Sequence, residues 1–233
     1  LRCTLSSFVP GEIQSLAVLV RSEIQSATFH CAMVALHFLQ LMLHGFAVRS
    51  KTNVLISLLE SPHGVRFENV YVYSKSLQQP KTLLSSIDTI DEIGYFTFSN
   101  NSDVIPPNDA RPNSIFVFDD VACDKQDTVR EYFSMGRHSN VDSFYLCQTY
   151  ARIPKHLIRD NANLLILFKQ DGTNLKHVYN DHVNTDMSYD DFCALYRSCW
   201  QRKYGFVVID KDSPLANGRY RNGFNVFAIP RNG

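Results

Sequence analysis

The sequence predicts an α/β fold with a mostly parallel central sheet flanked by helices. Three observations carry this. Beyond Ser50, short apolar runs alternate with helical stretches, as crossover-connected parallel strands do. The run Ile115-Phe116-Val117-Phe118 is apolar throughout and stops abruptly at Asp119-Asp120, the pattern of a strand buried on both faces with polar groups at its carboxyl end. The chain has 233 residues, 45% hydrophobic and 12% aromatic, with a mean hydropathy of −0.16, so it has the apolar mass of one compact domain and is not disordered.

Taken in order, residues 1–50 form an atypical N-terminal segment. No Asp, Glu, Lys or Arg occurs between Ile24 and Val48. The run predicts a buried or partly buried helix, with a membrane span of about 20 residues as the alternative. His30, His37 and His44 recur every seven residues, so on a helix they share a face. Successive members stand about 10 Å apart along the axis, too far to share a metal ion. The region lacks the basic start and cleavage site of a secretory signal. The chain opens on Leu1 and its first methionine is Met33, which suggests a fragment, a processed product or an imperfect gene model.

From residue 51 to 233 the expected strands are Asn69 to Tyr73, Tyr95 to Phe98, Ser114 to Phe118, Ser143 to Cys147, Leu164 to Phe168 and Tyr204 to Ile209. The expected helices are Thr52 to Leu59, Lys81 to Ile87, Gln126 to Met135, Pro154 to Arg159 and Tyr189 to Gln201. Asn100 to Asn113, with three prolines, reads as a surface loop. Phe224 to Ile229 is expected to pair with Tyr204 to Ile209 across the polar segment between them.

Composition narrows the function classes. The 23 basic and 23 acidic side chains cancel, which excludes a general basic coat for nucleic acid and leaves only a local patch. The tail from Gln201 carries six basic residues against Asp210 and Asp212, a candidate phosphate contact or simply a solvated face. Six cysteines without a CxxC pair point to a reduced intracellular chain with no structural zinc site.

Two carboxylates at the carboxyl end of a parallel strand lie where open α/β sheets bind ligands. In nucleoside triphosphatases this is the Walker B arrangement, the first acid supporting Mg²⁺ and the second polarising the attacking water. A strand followed by an acidic turn gives the same residues without chemistry. Upstream, Ser50-Lys51-Thr52 opens a helical run, as the Lys-Thr of a phosphate loop does. There a lysine reaches the β and γ phosphates, a threonine hydroxyl ligates Mg²⁺ and the helix amino terminus offers N–H groups; an ordinary capped helix start is the alternative. Gly45 to Thr52 fits GxxxxGK[ST] only with Ser50 in place of the second glycine, and Phe46, Val48 and Arg49 crowd the turn. Glycine is scarce overall, 10 residues of 233, against a usual share of about 7%. Gln148, at the end of the strand Ser143 to Cys147, is a candidate γ-phosphate sensor if that strand lies between the other two. Arg137, after a predicted helix, is a candidate finger for a neighbouring protomer or the partner of a local carboxylate.

The run Ile115 to Asp171 resembles the genome-packaging ATPases of poxviruses, other large DNA viruses and Maverick/Polinton transposons, members of the FtsK/HerA superfamily. The matching pieces are the double-acid strand end, Gly136-Arg137-His138-Ser139-Asn140, Cys147-Gln148-Thr149, Ile153-Pro154-Lys155 and Leu164 to Lys169. With Lys51 to Ser61 and Val70 to Ser76, the resemblance extends over about Lys51 to Phe227. It implies a RecA-like P-loop NTPase that forms a homo-oligomeric ring and uses ATP and Mg²⁺ to drive double-stranded DNA into a capsid. It also implies capsid or portal partners, no membrane attachment, and a place in a virus factory, a virion or, for a transposon, the host nucleus. By the same resemblance Ser50 and Lys51 contact phosphate, Thr52 and Asp119 hold Mg²⁺, Asp120 is the catalytic acid-base residue, Gln148 the polar sensor and Arg137 the trans-acting finger. The stretch before Lys51 departs from the family, whose members have a hydrophobic strand and a glycine-rich loop there. The competing expectations are an inactive remnant or domesticated relative that binds DNA or assists assembly, and a membrane-anchored protein.

Overall fold

The computed structural model describes residues 40–44, 48–60, 65, 67–75, 93–202, 204–224 and 226–228. Nine strands form one sheet among these residues: β1 (Gln40–His44), β2 (Asn69–Ser74), β3 (Gly94–Phe98), β4 (Ser114–Asp119), β5 (Val141–Cys147), β6 (Leu164–Leu167), β7 (Val207–Asp210), β8 (Tyr220–Asn222) and β9 (Val226–Phe227). Their order is β3-β2-β4-β5-β1-β6-β7-β8-β9. The first six strands in the chain pair in parallel, and β7, β8 and β9 extend the sheet antiparallel. The helices are α1 (Val48–Glu60), α2 (Asp127–Met135), α3 (Gly172–His182) and α4 (Tyr189–Cys199).

Alternation along each strand divides the core into two layers, because successive side chains point to opposite faces. Leu41, Leu43, Val70, Val72, Ile115, Val117, Phe144 and Leu146 pack with Val54, Leu55, Leu58 and Leu59 of α1. Met42, Tyr71, Tyr73, Phe116, Phe118 and Tyr145 pack on the other face, with Val129, Tyr132 and Phe133 of α2, Val178 of α3 and Phe192 of α4. Aromatic rings knit the second face: Tyr71 stacks on Phe96 at 4.7 Å and on Phe116 at 5.6 Å. Such pairs contribute about 0.5–1.5 kcal/mol each beyond the area they bury.

Four expectations need correction. Gln40–His44 is a strand, where the apolar run predicts helix; it is the sheet's inner strand between β5 and β6, buried on both faces. The rest of the run, with His30 and His37, lies outside the described residues, as does the helix expected at Lys81 to Ile87. Helix α1 starts at Val48, four residues ahead of the predicted Thr52. Lys155–Arg159 is an irregular turn, with His156 extended (ψ 134°) and Leu157 left-handed (φ 69°), where a helix was expected. This segment must cross from β5 to β6 while burying Ile158 in the core and aiming Arg159 at Asp181, 2.5 Å away. Finally, Tyr220–Asn222 takes the place beside β7, Val226–Phe227 pairs with β8 instead, and Phe224 packs edge-on to Phe206.

Helix α3 has no counterpart among the expected elements. Asp171 caps it by accepting a hydrogen bond from the Asn174 N–H, which satisfies one of the orphan donors of a helix start.

Candidate nucleotide site

The strand order decides which polar residues meet. Strand β5 lies between β1 and β4, so the carboxyl ends of all three open on one edge. Strand β1 leads towards α1, which carries Ser50, Lys51 and Thr52 in its first two turns. Strand β4 delivers Asp119 and Asp120. Strand β5 delivers Gln148.

Lys51 is 3% exposed, and its ammonium donates to the Cys147 carbonyl at 2.9 Å, bolting α1 to the end of β5. Burial lowers its pKa, while Cys147, Asp119 and Asp120 pull it back up. An ammonium so desolvated gains strongly from an anion brought beside it. Thr52, next on the helix, is buried too.

Asp119 is 5% exposed. It continues the face of Ile115 and Val117, the one that packs on α1. Ser74, opposite it in the β2 register, donates from Oγ to its Oδ2 at 3.1 Å. Burial pushes its carboxyl up to about 6; the Ser74 hydrogen bond and Lys51 lower it, and the Asp120 charge raises it. A carboxylate and a threonine hydroxyl are hard oxygen donors of the kind Mg²⁺ takes when waters complete its shell, and a second residue orienting the ligating carboxylate is typical of such sites.

Asp120 is exposed and adopts a left-handed backbone, φ 54°, which short polar side chains tolerate. Its N–H still donates to Leu146 O at 3.0 Å, so the turn leaves the sheet without losing that bond. The Gln148 amide donates to Asp120 Oδ2 at 3.1 Å. The expected acid-base residue and the expected polar sensor are therefore hydrogen-bonded to each other.

Arg137 is not in this group. It lies exposed in the turn Gly136–Ser139, ahead of β5. The seven residues of β5 put it about 20 Å from Gln148 at 3.3 Å per residue. Of the seven residues singled out by sequence, the structure brings Lys51, Asp119, Asp120 and Gln148 together, has Ser50 and Thr52 flank Lys51 along α1, and leaves Arg137 at the opposite end of the sheet.

Sequence reasoning missed Ser74, which lies one residue past the expected strand Asn69 to Tyr73 and ends β2 in register with Asp119. It also missed Tyr73, Asp124, Gln126 and Tyr145, which tie down the loop after Asp120. Among the described residues no cluster of three metal-ligating side chains occurs and no helix is long and apolar enough to cross a membrane.

Comparison with solved structures identifies the fold. B204, the DNA-packaging ATPase from Sulfolobus turreted icosahedral virus, matches with a TM-score of 0.50 and 13% identity, over 74% of this chain and 92% of that one. The genome packaging NTPase B204 from Sulfolobus turreted icosahedral virus 2 in complex with AMP matches with a TM-score of 0.54 and 12% identity, over 75% of this chain and 93% of that one. The same protein in complex with AMPPCP gives a TM-score of 0.50 at 12% identity, over 75% and 93%. No protein-family model and no curated protein matches the chain. The chain has the mixed α/β fold of a P-loop NTPase, a mostly parallel sheet flanked by helices.

Proposed function

We propose that this chain is an ATP-hydrolysing motor that packages double-stranded viral or transposon DNA into capsids. The observation that carries the reading is the convergence of Lys51, Asp119, Asp120 and Gln148 at the carboxyl ends of three neighbouring strands. The fold neighbours support it: they are viral packaging NTPases, solved with AMP and AMPPCP. The poxvirus and Maverick-like run from Ile115 to Asp171, within the FtsK/HerA superfamily, narrows the family. Under this reading the chain works as a homo-oligomeric ring with capsid or portal proteins, in a virus factory, a virion or the host nucleus.

In the proposed reaction Lys51 and the first turn of α1, including Ser50, hold the phosphates. Thr52 and Asp119 would hold Mg²⁺, which would offset charge on the phosphate oxygens. Gln148 fixes Asp120, whose carboxylate accepts the proton of a water as that water's oxygen bonds to the γ-phosphorus. The bond from phosphorus to the ADP oxygen then breaks, and ADP leaves with the electron pair. Arg137 of one protomer stabilises the transferring phosphoryl group in the site of the next.

A second reading, an inactive relative acting in DNA binding or assembly, is favoured by Ser50 standing where phosphate loops carry glycine. One experiment separates them. The chain is assayed for Mg²⁺-dependent release of phosphate from ATP, with Asp120→Asn alongside. Turnover in the parent that falls about a hundredfold or more in the variant supports the motor; a chain that neither binds nor hydrolyses nucleotide overturns it and leaves the second reading.

A further inference from the structure

The loop from Asp120 to Gln126 joins the end of β4 to α2, and it is fastened in an unusual way. Gln126 occupies the cap position of α2 but makes no side-chain cap. Its amide turns to its own loop. Nε2 donates to Val121 O at 2.7 Å and to Asp124 O at 3.0 Å, and Oε1 accepts from the Tyr145 hydroxyl at 3.1 Å. Both donors and the acceptor of this buried amide are thus used. Tyr145 is fully buried in β5, in register with Phe118 of β4 and Met42 of β1. A second tie closes the loop from β2: the Tyr73 hydroxyl donates to Asp124 Oδ2, and Lys75 lies 3.5 Å from the same oxygen.

We infer that Gln126 is a positioning residue for Asp120, holding the β4–α2 loop against β5 so that the carboxylate keeps its left-handed turn beside Gln148. The inference rests on the proposed ATPase reading. The geometry is what favours it over a packing role. Asp120 is the first residue of the loop, and its left-handed backbone, which an aspartate tolerates, sets the direction in which its carboxylate leaves β4. Asp120 follows β4 and Gln148 follows β5, and the Gln126 to Tyr145 bond ties the far end of the same loop to β5, three residues before Gln148. A loop free to shift by an ångström would part Asp120 from Gln148, and displacement of that size costs about a hundredfold in rate.

The test uses the full chain and the variants Gln126→Leu, which removes every hydrogen bond and ends one atom short of the amide, and Gln126→Glu, which keeps the shape but sets a carboxylate against two carbonyl oxygens. Tyr145→Phe removes the bond from the strand alone. ATP turnover, binding of a fluorescent ATP analogue and thermal midpoint are measured for each, alone and combined with Asp120→Asn. In parallel, the rate of thiol labelling at Cys123, an exposed residue of the same loop, is read peptide by peptide by mass spectrometry. Expected are a fall in kcat of about tenfold or more for Gln126→Leu and Gln126→Glu, a smaller fall for Tyr145→Phe, nucleotide affinity within about twofold of the parent, and faster labelling of Cys123. In the Asp120→Asn background the Gln126 substitutions should cost nothing further, because both act through one carboxylate. Turnover within twofold of the parent, a loss that is as large without Asp120 as with it, or a raised KM with kcat unchanged overturns the inference while leaving the ATPase reading intact. A parent chain that does not turn over ATP overturns both, and the Cys123 labelling then reports whether the clasp is structural only.

Discussion

The two ends of the sheet are built differently. At the carboxyl ends of β1, β4 and β5 the polar residues converge: Lys51 bonds to Cys147 O, Ser74 to Asp119 and Gln148 to Asp120. At the amino end of β5, Arg137 and His138 stand exposed on a tight turn, with the turn's backbone doing the fixing. Gly136 lies against β5, where an added Cβ would come 2.9 Å from Val141 O, and Asn140 closes the turn in a left-handed conformation. One end is a cluster fastened by its own side chains, running from the buried Lys51 and Asp119 to the exposed Asp120; the other presents a cation outward. Under the proposed function the first end would face phosphate and the second would offer its arginine to a neighbour's site, the arrangement a head-to-tail ring requires.

The largest effect should come from the converged end. Asp120→Asn is expected to lower kcat by about 10²–10⁴-fold, the range a positioned general base contributes, with ATP affinity retained; parent-like turnover in a steady-state phosphate-release assay would remove Asp120 from the chemistry. Next comes the exposed end. Arg137→Ala is expected to cost about 10³-fold in turnover without weakening nucleotide binding. If the arginine acts on a neighbour, mixing inactive Arg137→Ala with inactive Asp120→Asn must restore turnover, because mixed rings contain intact sites. Mixtures that stay dead would break the comparison and return Arg137 to a local role.

How legible all this is in the sequence differs between the two ends. Asp119, Asp120 and Gln148 announce themselves because each interrupts an apolar strand at its carboxyl end, a pattern one window of sequence contains. The strand β1 does not, since Leu41, Met42 and Leu43 are buried on both faces and sit in a long uncharged run, where periodicity cannot tell a buried strand from a buried helix. Helix α3 hides for the opposite reason: Gly172-Thr173-Asn174 has poor helix propensity, and its buried stripe of Leu175, Val178 and His182 is thin. The signal that finds it is Asp171 three residues ahead of Asn174. The clasp around Gln126 has no local signature, because Tyr145 is 19 residues away and the Tyr73 to Asp124 tie spans 51. Such pairs exist only once the strands are laid side by side.

A glycine separates support from chemistry at the amino end. Gly136→Ala drives a methyl group into the Val141 carbonyl, backbone that has little room to give. The expected loss is about 2–3 kcal/mol of stability, in the range of overpacking in a tight contact, read as a lowered midpoint in urea unfolding. Turnover should fall with it through the displaced Arg137, while ATP affinity at the other end stays the same. A variant as stable as the parent would show that the turn is held from elsewhere.

The smallest effect has the opposite sign, and it tests whether the converged end sacrifices stability for its charges. The Asp119 carboxyl is held up near 6 chiefly by burial, whereas an unfolded aspartate titrates near 3.9. Between these values the folded chain binds more protons than the unfolded one, so stability falls as pH rises through the window and the penalty is complete above about 6. Below about 4 both states are protonated and no penalty remains. Asp119→Asn should therefore stabilise the nucleotide-free chain by about 1–2 kcal/mol at pH 7.5, less than the full shift implies because the new amide N–H groups also need partners in a buried site. At pH 4 the gain should vanish, and with Mg²⁺ and nucleotide present the order should invert, since the parent carboxylate then has a cation to hold. Equal thermal midpoints for parent and variant at pH 7.5 would mean that Ser74 and Lys51 already offset the cost of burying the charge, leaving the converged end as settled as the rest of the sheet.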